Sequence, residues 1–119
     1  MMAQKQALTA LQNYQARGFC ICPPVYAELR ADPEWSTLVL PFLDETAIQT
    51  NWQMPEVIWE QAGIYARLYA DKRRNGILPR RILADFLIAA HAEHQQLDVM
   101  SFDETVYKVV LEKSKLIIP

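Results

Sequence analysis

The stretch RRILADFLIAAHAEHQQLDVMSFD, residues 80–103, places two carboxylates in a mostly apolar neighbourhood. Asp85 sits inside ADFLIAA, a run expected to be buried, and Asp103 follows a short apolar strand, Leu97 to Met100. An ionised carboxylate taken out of water is costly unless something uses its charge. A third acid, Glu28, stands in the apolar context VYAEL, in the helix that follows the first visible strand. In a parallel sheet, the loop after one strand and the starts of neighbouring helices share a rim, so Glu28, Asp85 and Asp103 are expected to converge there. Clustered carboxylates repel one another and hold their protons more tightly unless a divalent cation lies between them. Oxygen-only ligands suit Mg²⁺ or Mn²⁺, which activate water and stabilise the transition state of phosphodiester hydrolysis.

Each acid also has a purely structural reading. Asp85 favours the positive end of its own helix. SFDE, residues 101–104, is a capping box in which Ser101 caps, Glu104 reaches back and Asp103 is a first-turn acid. Glu28 reads equally as a solvated helix residue. Spacing alone leaves both readings open.

The elements that must position these groups are marked by punctuation residues. Ala7, Leu8, Leu11 and Tyr14 recur at helical spacing over residues 3–17, and Gly18 is a stop just past the end. Phe19 to Cys22 reads as a strand closed by Pro23 and Pro24, which suit the first turn of a helix reaching Ala31. Asp32 is a candidate N-cap for a further helix through about Leu43, and Ala47 to Thr50 reads as a weak strand. Pro55 opens the longest helix, VIWEQAGIYARLYADKRR, with Val57, Ile58, Ile64, Leu68 and Tyr69 mostly on one side; Asn75 and Gly76 end it. A helix from about Ile82 to His94 follows Pro79, apolar nearly all round. Then come the strand 97–100, a helix from Glu104 to Glu112, and a final strand from Leu116 to Ile118. Strands without polar alternation, separated by helices, predict an α/β fold with a parallel sheet covered on both faces.

Length and composition bound the rest. A chain of 119 residues is expected to form one domain, residues 1–119. A net charge of −2 excludes global attraction to nucleic acid, so an RNA contact must use a local basic patch. Lys72, Arg73 and Arg74, with Arg80 and Arg81 nearby, form that one cluster; it suits RNA phosphates, acids on a protein partner, or a solvated helix end. No apolar run approaches the length of a membrane span, and MMAQKQALTALQNYQ has no leader pattern. Cys20 and Cys22, two apart in a strand and pointing the same way, support neither a disulfide framework nor a zinc site. The expectation is a reduced, cytoplasmic protein. His91 and His94 form HxxH without the glutamate that zinc-dependent hydrolysis requires, and are expected to face solvent at a helix end. Trp35, Trp52 and Trp59 are scattered and expected in core or interface positions. With three glycines in the chain no nucleotide-phosphate cradle is expected, and no Ser-His-Asp arrangement is visible.

Taken in order, FCICPPVYAELRA, WEQAGIYARLYADKRRNG, LPRRILADFLIAAHAEHQQLDVMSFDETVY and the closing LIIP resemble PIN domains of the VapC toxin type. The resemblance covers most of the chain, and the pairing of VYAEL with ADFLIAAHA is its most specific part. It implies a three-layer α/β/α ribonuclease that uses Mg²⁺ or Mn²⁺. Glu28, Asp85 and Asp103 match metal-binding acids, and Ser101 matches a hydroxyl that orients a water or a carboxylate at the metal. Phe102 stands where a basic residue is common. The family opens with an apolar strand ending in Asp, whereas this sequence begins in what resembles the first helix; Asp32, Asp44 and Glu45 lack the matching context. That strand is expected in the middle of the sheet, between the two visible halves, and without it sheet edges stay unpaired.

The resemblance thus implies a metal-dependent endoribonuclease, the toxin of a toxin–antitoxin pair. Its partners would be an RNA substrate, a VapB-like antitoxin whose C-terminal segment occupies the acidic groove, and a second copy of the chain; no membrane is implied. A non-catalytic PIN-like module that binds a protein or RNA is the alternative, motivated by the unmatched first strand. A third reading is a flavodoxin-like domain whose acids are helix caps.

Overall fold

The computed structural model describes residues 2–14, 18–74, 76 and 83–119. The predicted helix end at 15–17, Asn75, Pro79, Arg80, Arg81 and the helix start at Ile82 lie outside the described residues. The chain divides into two compact units, Met1–Gln53 with Pro119, and Met54–Ile118.

The first unit contains α1 (Met2–Tyr14), β1 (Cys20–Ile21), α2 (Pro23–Ala31), α3 (Val39–Thr46) and β2 (Gln49–Thr50). Gly18 adopts φ 78, a left-handed conformation that glycine reaches without strain. Strands β1 and β2 are parallel, with Cys20 opposite Gln49 and Ile21 opposite Thr50. Pro23 and Pro24 occupy the first turn of α2, where a missing N–H costs nothing, and Cys22 is the N-cap residue. Cys22 therefore lies beyond the strand rather than in it. It is buried while Cys20 is exposed, so the two thiols do not share an environment. Burial pushes the Cys22 thiol up to about 11.

Asp32 caps as expected, its Oδ1 accepting the Glu34 and Trp35 N–H groups at 2.8 and 3.0 Å. What it caps is a run of turns; the regular helix α3 starts only at Val39. Trp35 meets Phe42 edge-on at 5.3 Å and Trp52 meets Tyr26 at 5.0 Å. Neither indole belongs to the buried core, the first of the two places expected for them.

The second unit contains α4 (Glu56–Arg74), α5 (Leu83–Gln95), β3 (Val99–Met100), α6 (Glu104–Val110) and β4 (Leu116–Ile117). The hydrophobic core cluster lies here, in Ile58, Tyr65, Tyr69, Phe86, Val106, Tyr107 and their neighbours. Helix α5 is apolar nearly all round, as its sequence predicts, and its buried Ala89, Ala90 and Ala92 leave room for close packing. Tyr69 of α4 stacks at a tilt on Phe86 of α5, ring centres 5.5 Å apart.

The buried face of α4 is Ile58, Ala62, Tyr65 and Tyr69, one residue per turn. Val57, Ile64 and Leu68, which the sequence pattern places mostly on one side with Ile58 and Tyr69, are instead 48%, 51% and 47% exposed. Trp59 is exposed too, its indole N–H donating to the Met54 carbonyl at 3.2 Å. Strands β3 and β4 are parallel, with Val99 opposite Leu116 and Met100 opposite Ile117. Among the described residues, both sheets are thus parallel pairs of two-residue strands within a helix-rich α/β chain.

Candidate functional site

Asp85 lies in the first turn of α5, as expected, but it is half-buried rather than enclosed. Neighbouring Leu83 is exposed, so the helix start faces partly outward. Asp103 stands three residues after Met100, at the carboxyl end of β3. Its Oδ1 accepts the Thr105 N–H at 3.0 Å, which makes Asp103 the N-cap of α6. Ser101 Oγ accepts the Asp103 N–H at 3.0 Å. The capping box anticipated in 101–104 is therefore shifted: Asp103 caps, Ser101 supports it, and Glu104 binds Lys108 at 2.8 Å instead of reaching back. Ser101 and Asp103 form one hydrogen-bonded unit on a strand end, held in register where Ser101 N–H donates to the Ile117 carbonyl at 3.0 Å.

Glu28 belongs to the first unit. It is exposed on α2, a helix with no buried residue. Among the described residues, no group of three or more His, Cys, Asp or Glu is arranged to hold a metal ion. Mg²⁺ can be held by one or two carboxylates, with water and substrate phosphate completing its shell. The oxygen donors Asp85, Ser101 and Asp103 are of the chemical type a hard cation takes.

Lys72, Arg73 and Arg74 are exposed on the last turn of α4, where cations favour the helix dipole, and Arg74 pairs with Asp71. His94 is exposed, as expected, but His91 is only 3% exposed, with Nε2 lacking a hydrogen-bond partner. Burial, with His94 adding repulsion, lowers the His91 pKa. A base lowered in the folded state binds its proton first in the unfolded state. Stability from neutral His91 is therefore full above about pH 6.5, the ordinary histidine value, and declines as pH falls below it. The urea midpoint is expected to drop between about pH 7.5 and 5.5, and to drop less in His91→Leu. Equal slopes in the two proteins would contradict a neutral buried His91.

A feature the sequence did not disclose is a cavity of 250 Å³ between α4, α5 and the segment after α6. Gln61, Tyr65, Glu93, His94, Glu112 and Lys113 supply its polar lining. Glu93 Oε1 accepts the backbone N–H groups of Glu112, Lys113 and Ser114 at 2.6, 3.0 and 3.2 Å, which ties the end of α5 to the approach to β4. Burial, reinforced by Glu93 and Glu112, pushes the Tyr65 hydroxyl up to about 12. None of Glu28, Asp85, Ser101 or Asp103 lines this space. Glu93 is committed to three amides, so the cavity reads as part of the scaffold.

Among the described residues, no helix is long and apolar enough to cross a membrane. A scan against protein-family models gives no match, and searches of curated proteins and of solved structures give none.

Proposed function

We propose that this chain is a metal-dependent endoribonuclease of the PIN type, built on a three-layer α/β/α plan and acting as the toxin of a toxin–antitoxin pair. The observation that supports the reading is the place of Asp103: directly after a strand of a parallel pair, held by Ser101 on one side and Thr105 on the other. Functional groups of parallel α/β units gather at this end of the strands. Asp85, in the first turn of the helix that leads into the same strand, is its natural companion. Glu28 joins them through the sequence resemblance alone.

In this reading Asp85 and Asp103 supply the carboxylate oxygens for Mg²⁺ or Mn²⁺. When bound, the ion provides Lewis-acid stabilisation of the charge that develops on an RNA phosphate. Ser101 fixes the backbone of Asp103 and so sets the direction of its carboxylate. Lys72, Arg73 and Arg74 provide positive charge suited to RNA phosphates or to an acidic antitoxin segment. The partners are an RNA, a small antitoxin and a second copy of the chain.

A second reading, a non-catalytic binding module, is favoured by the work Ser101 and Asp103 already do as a helix cap. The two readings separate on one assay: Mg²⁺- or Mn²⁺-dependent cleavage of RNA by the wild-type chain supports the first, and its absence in folded protein supports the second.

A further inference from the structure

We propose that Glu93 and Asp98 are positioning residues for the candidate metal site, acting on Asp103 from the opposite end of β3. This deepens the ribonuclease reading and rests on it for the effect on the cation; the effect on the backbone is tested without any metal.

The segment between α6 and β4 carries backbone N–H groups at residues 112–115, beside a strand that begins only at Val99. Amides without a strand to pair with need acceptors from side chains or water. Two carboxylates supply them. Glu93, near the end of α5, accepts the N–H groups of Glu112, Lys113 and Ser114 on Oε1 at 2.6, 3.0 and 3.2 Å. Its Oε2 accepts the Lys113 N–H as well, at 3.2 Å. Asp98 Oδ1 accepts the next amide in line, the Lys115 N–H, at 2.9 Å. Successive amides converging on one anion form a nest, and bonds to an ionised acceptor are about twice as strong as neutral ones.

These bonds set the register of the strand that follows. Lys115 is gripped by consecutive residues of the neighbouring strand: Asp98 accepts its N–H, and the Val99 N–H donates to its carbonyl at 2.9 Å. Two residues on, about 7 Å along an extended chain, lies Ile117. Its carbonyl accepts the Ser101 N–H at 3.0 Å, and Ser101 Oγ accepts the Asp103 N–H at 3.0 Å. A pair of two-residue strands has few ladder bonds of its own, and a slip of β4 by one residue would take the Ile117 carbonyl away from Ser101. The carboxylates at the strand entrance therefore decide whether the Ser101–Asp103 unit is held. A merely stabilising role for them would be felt throughout the second unit, whereas a positioning role is local to residues 99–103.

Amide hydrogen exchange of the whole chain, without metal, tests this. In Glu93→Gln one acceptor oxygen becomes an NH₂ group and the charge is lost, so the Ser101 and Asp103 amides are expected to exchange at least about tenfold faster. The amides of Ala62 and Ala89, in the core helices, are expected to keep their wild-type rates. Asp98→Ala is expected to act in the same way. Asp98→Asn, which keeps an acceptor oxygen for the Lys115 N–H, is expected to restore most of the protection. Mn²⁺ affinity is expected to fall at least about tenfold in Glu93→Gln and in Asp98→Ala, and to recover in Asp98→Asn. Unchanged Ser101 exchange in Glu93→Gln and Asp98→Ala, or acceleration by one common factor throughout the chain, overturns the proposal. Faster Ser101 exchange with full Mn²⁺ affinity overturns the link to the metal site. A wild-type chain that binds no Mn²⁺ ends the ribonuclease reading instead, and the exchange comparison still decides whether Glu93 and Asp98 hold Ser101.

Discussion

Replacing Asp85 with Asn is expected to abolish Mg²⁺-dependent RNA cleavage, with a loss of at least about 100-fold, while the chain stays folded. The size follows from chemistry: the amide keeps the shape of the side chain but removes the charge that would hold the cation, and with it several kcal/mol of transition-state stabilisation. Asparagine keeps the shape of the half-buried Asp85 in the first turn of α5, so the chain is expected to stay folded. Asp103→Asn provides the matching case. Asn is as good an N-cap as Asp, so the bond from Thr105 survives and only the charge is lost. Asp103→Ala removes both, and should add about 1 kcal/mol of destabilisation to the same catalytic defect. Cleavage of a labelled RNA under single-turnover conditions, alongside urea unfolding, separates the two effects. Full Mg²⁺-dependent activity in Asp85→Asn would end the ribonuclease account.

The second large effect uses one helix and one residue type. Ile58→Ala is expected to destabilise the second unit by about 2–5 kcal/mol, whereas Ile64→Ala should cost less than about 0.5 kcal/mol in dilute solution. Ile58 is fully buried in the core cluster with Tyr65, Tyr69 and Phe86, and truncating it removes apolar contacts and leaves a void that the aromatic neighbours cannot fill. Ile64, six residues along the same helix, is half exposed and leaves no void. Denaturant unfolding at low protein concentration reads the difference, and equal costs would contradict the division of α4 into a core face and an outer stripe.

That division is also where the sequence was least legible. The elements themselves were announced by strong local signals: Pro23 and Pro24 open α2, the sequence after Pro55 opens α4, Gly18 takes a left-handed turn, and Asp32 caps the turns before α3. Such signals depend on a few backbone groups nearby. Which side of α4 is buried depends instead on α5 and α6, and Val57, Ile64 and Leu68 are as hydrophobic as the residues that pack there. The same limit applies to His91, placed inward by its packing although HxxH at a helix end suggested solvent. In SFDE, Ser101 and Asp103 are both good caps, and only the start of α6 at Glu104 decides between them.

The candidate site was legible as residues rather than as an arrangement. Asp85 and Asp103 were found at a helix start and a strand end, where the pattern put them. The Glu93 bridge to residues 112–114, and the cavity beside it, could not be read in advance because their parts lie about twenty residues apart with no motif to join them.

Direct titration with Mn²⁺, followed by its electron paramagnetic resonance signal, tests whether the carboxylates hold a divalent cation. Saturable binding by the wild-type chain is expected, displaced by Mg²⁺, strengthened by a non-cleavable RNA, and lost in the double variant Asp85→Asn with Asp103→Asn. A folded wild-type chain that binds no Mn²⁺ with or without RNA, or a double variant that binds it as well as wild type, would contradict it.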